Sequence, residues 1–116
     1  MSNYYIKAIM LDGCPYSIRA MELLKLHNIP HKIINVDNNN KDKYVTDMID
    51  TFPQIYLKKY NSNQNLLLGG CDDLTNFIMN FKSQKLNEND INIFMRKYKW
   101  SKKASLRLIQ LINQKQ

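Results

Sequence analysis

Apolar and polar positions alternate along the first third of the chain in a way that predicts a strand, a helix and a second strand. The run YYIKAIML at residues 4–11 is apolar and rich in aromatic and β-branched side chains, which is typical of a buried strand. From residue 15 to about residue 26 the apolar side chains recur near the helical period, and Pro15 suits the first turn of a helix. HKIINVD at 31–37 predicts the second strand. This βαβ order implies two parallel strands joined by a right-handed crossover.

The middle of the chain predicts a short helix, a β-hairpin and a third helix. Residues 41–50 are interpreted as a second, short and polar helix. PQIYLKKY at 53–60 alternates apolar and polar side chains, and LLL at 66–68 follows an Asn-rich turn, so the two segments predict a hairpin. A Gly-Gly pair ends the hairpin. Residues 72–81 then predict a helix whose first turn contains two acidic residues, which complement the helix dipole. The predicted order is β-α-β-α-β-β-α.

The last part of the chain, residues 87–116, predicts further helices with an apolar stripe. The stripe consists of Ile91, Phe94, Met95, Tyr98, Leu106, Ile109 and Ile112. We therefore expect one domain over residues 1–84 and a helical extension over residues 85–116 that packs on it.

Composition and length indicate a soluble globular protein. The 116 residues are 44% hydrophobic and 23% charged, and a chain of this length buries enough apolar surface for a core without disulfides. No run approaches about 18 apolar residues, so we expect no membrane span. The N-terminal residues lack the features of a signal peptide, and only two cysteines occur. We therefore expect a reducing compartment such as the cytoplasm.

The positive charge is concentrated at the C-terminal end. The net charge is +7, but residues 1–81 hold eight basic and eight acidic residues and are balanced. Residues 82–116 hold nine basic and two acidic residues. The chain therefore consists of a neutral body and a basic extension.

A cysteine stands where the first predicted strand ends and the first helix begins, in GCPYS at 13–17. Backbone N–H groups of a helix's first turn point at such a sulfur, and the helix dipole favours negative charge there. These effects lower a thiol pKa and increase the nucleophilic thiolate. The alternative is a buried, inert cysteine, but Cys14 lies between Gly13 and Pro15 in a turn and not inside an apolar run.

Three motifs together resemble the glutaredoxins, the glutathione-dependent branch of the thioredoxin fold. CPYS at 14–17 resembles C-P-Y-C, TFPQIYL at 51–57 resembles T-V-P-x-I-F-I, and GGCDDL at 69–74 resembles G-G-x-x-D-L. They occur in the family's order and spacing over residues from about 4 to about 82. The resemblance implies an α/β, thioredoxin-like fold: a four-stranded mixed sheet with helices on both faces, here followed by a C-terminal helical extension.

The resemblance also implies the roles of individual residues, with glutathione as co-substrate. Cys14 is the expected nucleophile that attacks glutathione mixed disulfides on proteins. The expected glutathione contacts are Tyr16, Thr51, Phe52, Pro53, Gly70, Cys71, Asp72 and Asp73. Pro53 is expected to be cis and to present the backbone of Phe52 to the ligand. The turn before the third helix is expected to hold the γ-glutamyl carboxylate with N–H groups and the ammonium with an aspartate.

A serine, Ser17, stands where dithiol members of the family carry a second cysteine. Ser17 cannot form a disulfide, but its hydroxyl can donate a hydrogen bond to the Cys14 thiolate. The resemblance therefore predicts a monothiol route, in which a second glutathione releases the first by thiol–disulfide exchange. Cys71 is an alternative resolving residue, although we interpret it as catalytically inert. We expect no metal and no permanently bound cofactor.

Two positions depart from the family's pattern. Many glutaredoxins have basic residues where this chain has Leu11 and Asp50. The missing cations predict weaker glutathione binding and a less stabilised thiolate, unless Lys41, Lys43 or the basic extension replaces them.

The extension allows a second interpretation. RKYKWSKK at 96–103 interleaves basic and aromatic residues, a pattern that suits phosphate contacts and base stacking through residues 96–107. We favour an amphipathic helix pair packed on the domain.

Two alternatives to the oxidoreductase stay open: a glutathione-bridged dimer that carries a [2Fe–2S] cluster, and a redox-inactive adaptor whose tail binds nucleic acid or acidic partners. The expected oxidoreductase is a monomer.

Overall fold

Within the residues that the structure describes, four strands and four α-helices follow one another in the order β1-α1-β2-β3-β4-α2-α3-α4. The computed structural model describes residues 3–82 and 87–113. The strands are β1 Tyr4–Leu11, β2 His31–Val36, β3 Gln54–Lys59 and β4 Asn65–Gly69. The helices are α1 Pro15–Leu26, α2 Cys71–Phe81, α3 Glu88–Tyr98 and α4 Lys102–Ile112. A short 3-10 helix, Lys41–Tyr44, lies between β2 and β3.

The four strands form one mixed sheet in the order β2-β1-β3-β4. β1 pairs in parallel with β2 and antiparallel with β3, and β3 pairs antiparallel with β4. The parallel pair is joined through α1, as the βαβ pattern predicts, and β3 and β4 form the predicted hairpin. The α/β, thioredoxin-like fold expected from the sequence is confirmed.

All four α-helices contribute to one hydrophobic core on one face of the sheet. On β1 this face carries Ile6, Ala8 and Met10, which alternate with residues of the other face. The same buried cluster contains residues of every helix, among them Leu24, Phe77, Phe94 and Leu108. α3 and α4 therefore continue the core that α1 and α2 form with the sheet. The domain boundary expected at residues 84 and 85 falls outside the described residues.

The two C-terminal helices begin and end at residues whose local chemistry explains the boundary. Asn87 caps α3 by accepting a hydrogen bond from the Asn89 N–H at 2.9 Å. Lys99 adopts a left-handed conformation, with φ 58°, and ends α3. Ser101 caps α4 through the Ala104 N–H at 3.1 Å. No helix of the described ranges is long and apolar enough to cross a membrane.

The opposite face of the sheet carries no α-helix of the described residues, and this corrects one prediction. The helix predicted over 41–50 is only the four-residue 3-10 helix, which contacts the sheet where the Gln54 side-chain amide donates to the Tyr44 carbonyl at 2.8 Å. After it, the Thr46 hydroxyl accepts hydrogen bonds from the Met48 and Ile49 N–H groups, both at 3.1 Å. This local turn competes with helical hydrogen bonds.

Candidate active site

Cys14 occupies the N-cap of α1, directly after the end of β1. Gly13 takes φ +76°, a conformation that favours glycine, and the Cys14 N–H donates to the Leu11 carbonyl at 3.1 Å. This tight turn brings the half-buried Cys14 side chain over the first turn of the helix. Its thiol donates to the carbonyl of Phe52 at 3.8 Å, so the sulfur lies against the loop before β3.

The first turn of α1 stabilises the thiolate form of Cys14. Partial burial raises the pKa of the thiol, but hydrogen bonds from the Ser17 backbone and side chain and from the Tyr16 backbone lower it further than burial raises it. The Ser17 side chain is 2% exposed, and its oxygen accepts the Leu11 N–H at 3.1 Å. That bond uses a lone pair and leaves the hydroxyl proton for the sulfur. The net result is a pKa below the ordinary value of a cysteine.

The loop before β3 and the N-terminus of α2 form the walls of a groove beside Cys14. The Phe52–Pro53 peptide bond is cis, as the resemblance implies. The groove has a volume of about 550 Å³. It is lined by Tyr16, Met48, Ile49, Thr51, Phe52, Pro53, Leu67, Gly69, Gly70, Cys71, Asp72 and Asp73. All eight residues expected to contact glutathione are therefore brought together, and four further residues line the groove with them.

The turn into α2 is shaped by one carboxylate. Gly69 has φ +132°, and a β-carbon at this position would overlap the Asp73 side chain. Asp73 Oδ2 accepts the Gly70 N–H at 3.0 Å, which caps the helix. Asp73 Oδ1 accepts the hydroxyl of Tyr98 at 2.5 Å. The sequence alone did not indicate this contact between the extension and the turn, because 25 residues separate its members.

Comparison with known proteins agrees with this geometry. The glutaredoxin family model matches residues 4–59. The chain is 34% identical over 84 residues to Glutaredoxin 1 of Rickettsia prowazekii, an alignment that covers 68% of this chain and 82% of the relative. The chain belongs to the glutaredoxin family. It is also 34% identical over 83 residues to Glutaredoxin 1 of Rickettsia typhi (67% of this chain, 74% of the relative). A glutaredoxin-like protein of Encephalitozoon cuniculi is 42% identical over 62 residues (53% and 44%). Membership of this family supports a thiol oxidoreductase function.

The second cysteine of this glutaredoxin has a different environment from the first. Cys71 is buried at the start of α2, and it is a free thiol like Cys14. Burial raises the pKa of the Cys71 thiol, an effect that a hydrogen bond with Thr75 only partly offsets. A buried, protonated thiol is a poor nucleophile.

The groove of this glutaredoxin is not lined by basic side chains. Among the described residues that line it, none is Lys, Arg or His, whereas Asp72 and Asp73 are acidic. Asp50 is exposed between two lining residues, and Leu11 is half-buried. Lys41 and Lys43, which the sequence suggested as replacement cations, are not among the lining residues.

A cation that sequence reasoning missed lies beside the groove. The Arg19 guanidinium lies 5.7 Å from the centre of the Tyr16 ring, and its charge lowers the pKa of Cys71. Arg19 follows Cys14 by five residues on α1, about one and a half helical turns away. The signal in the sequence was the spacing of Arg19 from Tyr16, since residues three apart on a helix lie on the same face.

Both aromatic residues of the basic segment 96–103 make hydrogen bonds within the fold, which argues against the stacking part of the nucleic-acid interpretation. Trp100 is only 6% exposed, and its indole N–H donates to the Leu67 carbonyl at 3.1 Å. Tyr98 is half-buried, and its hydroxyl donates to the Asp73 carboxylate. The buried Trp100 ring is therefore not available to a base, whereas the basic side chains Arg96, Lys97, Lys99, Lys103 and Arg107 are exposed.

Proposed function

We propose that this glutaredoxin is a glutathione-dependent oxidoreductase that removes glutathione from protein mixed disulfides by a monothiol mechanism. The observation that carries the proposal is the position of Cys14. Its thiol has a lowered pKa and lies at the edge of a groove that contains the cis-Pro53 loop and the N-terminus of α2. The physiological setting we propose is a reducing compartment such as the cytoplasm, with glutathionylated proteins as substrates.

Two thiol–disulfide exchanges make up the reaction. In the first, the Cys14 thiolate attacks the glutathione sulfur of the mixed disulfide, and the substrate protein leaves as a thiolate that takes a proton from solvent. Cys14 now carries glutathione in a disulfide. In the second, a glutathione thiolate attacks the sulfur of that bound glutathione, releases oxidised glutathione and returns Cys14 as a thiolate. The substrate disulfide is reduced, and two glutathione molecules end as one disulfide.

The walls of the groove support the assignment of glutathione as the bound thiol. The backbone N–H groups that begin α2, at Cys71 and Asp72, are suited to the γ-glutamyl carboxylate. The exposed Asp72 carboxylate is suited to its ammonium, since both Asp73 oxygens already accept hydrogen bonds within the protein. Tyr16, Thr51, Phe52 and Pro53 flank the rest of the ligand. In this proposal Asp73 shapes the site and Asp72 contacts the ligand.

A monothiol route follows from what surrounds Cys14. Ser17 has no sulfur with which to resolve a mixed disulfide, and its hydroxyl supports the Cys14 thiolate. Cys71 is buried with a raised pKa, so it is poorly suited to attack a disulfide on Cys14. The attacking thiol in the second exchange is then an external one, which is the role of the second glutathione.

Turnover of a glutathionylated peptide, coupled to glutathione reductase and NADPH, tests the proposal. We expect the wild-type protein to turn over, Cys14→Ser to be inactive, and Cys71→Ser to retain most of the activity because its side chain takes no part in the exchange. Loss of turnover in Cys71→Ser with native folding would point to a resolving role for Cys71. An inactive wild-type protein would refute the proposal and favour the cluster-carrier or adaptor alternative.

A further inference from the structure

The carboxylate of Asp73 joins the ligand groove to the C-terminal extension. One oxygen accepts the Gly70 N–H in the turn that lines the groove, and the other accepts the Tyr98 hydroxyl at the end of α3. A carboxylate with two donors on different oxygens has its side-chain rotation restricted from both sides. Tyr98 therefore contacts a residue that lines the groove, although it is not itself among the lining residues.

Packing holds the Tyr98 hydroxyl in place independently of Asp73. The Tyr98 ring lies 4.6 Å from the Phe94 ring, centre to centre. Phe94 in turn contacts Phe77 of α2 at 4.9 Å and Trp100 at 5.5 Å, both edge to face. Trp100 is fixed to β4 by its hydrogen bond to the Leu67 carbonyl. The donor thus belongs to a rigid aromatic cluster that α2, α3 and β4 build together.

The Tyr98 hydroxyl also keeps its proton over the physiological pH range. Burial raises the pKa of Tyr98, and the hydrogen bond to Asp73 and the negative charge of that carboxylate raise it further. A phenol that stays protonated is a permanent donor, so the contact does not switch off near neutral pH.

The turn that Asp73 shapes is sensitive to where the carboxylate lies. The Asp73 side chain fills the space that a β-carbon on Gly69 would take, so it rests directly on the backbone of the turn. A β-carbon on Gly70 would lie 3.6 Å from the Pro53 carbonyl oxygen, so the other side of the turn packs on the cis-Pro53 loop. Releasing the carboxylate from one of its donors allows the turn, and with it the N–H groups that begin α2, to shift in the groove.

We infer that Tyr98 is a positioning residue of the glutathione site, and that the extension sets the protein's affinity for the glutathionyl group by holding Asp73 over the Gly69–Gly70 turn. This inference rests on the proposed function, because glutathione is the ligand whose γ-glutamyl end meets that turn. It assigns the extension a role in the ligand site, because only one of the two hydrogen bonds to Asp73, the one from Gly70, comes from residues 3–82.

The test compares Tyr98→Phe with Tyr60→Phe. Both changes remove one phenolic hydroxyl, but Tyr60 directly follows β3, its ring lies 4.5 Å from the Tyr5 ring, and it does not line the groove. Each protein is equilibrated with defined ratios of reduced to oxidised glutathione, and the fraction with glutathione on Cys14 is measured by mass spectrometry. In this equilibrium the Cys14 thiolate displaces one glutathione thiolate from oxidised glutathione. The rate of Cys14 alkylation by iodoacetamide is measured in parallel.

We expect the equilibrium constant for the mixed disulfide to fall about three- to tenfold in Tyr98→Phe, the loss typical of one hydrogen bond to a charged group that solvent partly replaces. Tyr60→Phe is expected to match the wild type, and the alkylation rate of Cys14 is expected to be the same in all three. If Tyr98→Phe matches Tyr60→Phe, or if its alkylation rate changes along with the equilibrium, Tyr98 is not a positioning residue of this site.

A double-mutant cycle separates positioning from loss of stability. If Tyr98 acts through Asp73, Tyr98→Phe has no further effect on the equilibrium in an Asp73→Asn background. Additive effects of the two substitutions would overturn the inference. The inference would also fail if Tyr98→Phe regained the wild-type equilibrium constant at a lower temperature at which circular dichroism shows it to be fully folded. A wild-type protein that forms no mixed disulfide on Cys14 would instead refute the proposed function itself.

Discussion

At position 17 a hydroxyl connects the end of β1 to the candidate nucleophile. The Ser17 oxygen accepts the Leu11 N–H at 3.1 Å, and the same side chain, with its backbone N–H, lowers the pKa of Cys14. Since Ser17 is almost fully buried, water does not replace it easily when it is removed. One side chain therefore holds the strand end in place and stabilises negative charge on the sulfur.

Replacing Ser17 with alanine is expected to raise the pKa of Cys14. Less thiolate is then present at neutral pH, and the curve of alkylation rate against pH moves to higher pH. We expect the rate of iodoacetamide alkylation at pH 7 to fall by about fivefold, consistent with the loss of one hydrogen bond to a charged group. The matched control is Ser105→Ala, which removes a buried hydroxyl bonded to the Ser101 carbonyl in α4. An unchanged pH curve for Ser17→Ala would exclude its role in stabilising the thiolate.

The charge at position 50 is expected to limit glutathione binding. Asp50 is exposed between Ile49 and Thr51, which line the groove, and glutathione is an anion. We expect Asp50→Lys to lower the KM for glutathione about two- to fivefold at low ionic strength, and the gain to shrink as salt screens it. Glu22→Lys, on the exposed side of α1, makes the same change in net charge and is expected to leave KM near the wild-type value. Equal effects of the two variants would mean that only net charge matters.

The sequence predicted the candidate site wherever the residues belong to short contiguous motifs. CPYS, TFP and GGCDD contain all eight expected groove residues, because each motif folds as one local turn. Met48 and Leu67 line the same groove, but tertiary packing brings them there and no local pattern marks them. In the sequence Tyr98 belongs to an apolar stripe and to a basic segment, and its contact with Asp73 depends on how α3 lies against α2.

At the scale of elements, the turn between β4 and α2 brings a strand end, a helix N-terminus and the cis-Pro53 loop together. Its two glycines differ, because the backbone and its surroundings require glycine at position 69 but not at position 70. Gly69 has a positive φ and no room for a β-carbon beside Asp73. Gly70 has φ −101°, which every residue adopts, and a β-carbon there meets only the Pro53 carbonyl at ordinary contact distance.

A pair of alanine substitutions tests this difference. We expect Gly69→Ala to lower the free energy of unfolding by about 2 kcal/mol or more and to weaken glutathione binding, because the backbone is strained and Asp73 must move. We expect Gly70→Ala to lower it by less than about 1 kcal/mol. Urea denaturation of both variants and the wild type gives the comparison. A larger loss in Gly70→Ala than in Gly69→Ala would contradict this account of the turn.

The hydrophobic pattern predicted the four strands and the four α-helices, because each of these elements buries a periodic set of side chains. β3, for example, buries Ile55 and Leu57 on one face, and α2 buries Leu74, Phe77 and Ile78. In the segment 41–50, by contrast, no side chain is fully buried. Its conformation is decided by side-chain hydrogen bonds around Thr46 and by the contact of Tyr44 with Gln54, which hydrophobic periodicity does not report.

At the scale of the molecule, the extension and the sheet share one core. Leu108 and Leu111 of α4 are fully buried in the same cluster as Ile6 of β1 and Leu24 of α1. Trp100, the single tryptophan of the chain, lies between α3 and α4 and is bonded to β4. Two parts of a chain that share a core are expected to unfold together.

Leu108→Ala is expected to destabilise the whole protein. Removing a fully buried leucine lowers the free energy of unfolding by about 2–5 kcal/mol, whereas Ile93→Ala, at a side chain that is 49% exposed, is expected to lower it by less than about 1 kcal/mol. Trp100 fluorescence reports the extension, and far-ultraviolet circular dichroism reports all elements. We expect both signals to give the same midpoint in urea for each variant. A separate, earlier fluorescence transition would show that the extension unfolds independently.

The bond between Asp73 and Tyr98 also has an evolutionary consequence. A change at either position alters what the other contributes, so selection acts on the two as a pair across 25 residues of chain. In descendants that keep the extension, we expect an acidic residue at 73 and a hydroxyl donor at 98 to be inherited and lost together. In a lineage that loses α3 and α4, we expect another hydrogen-bond donor to the Asp73 carboxylate, or weaker binding of the proposed ligand.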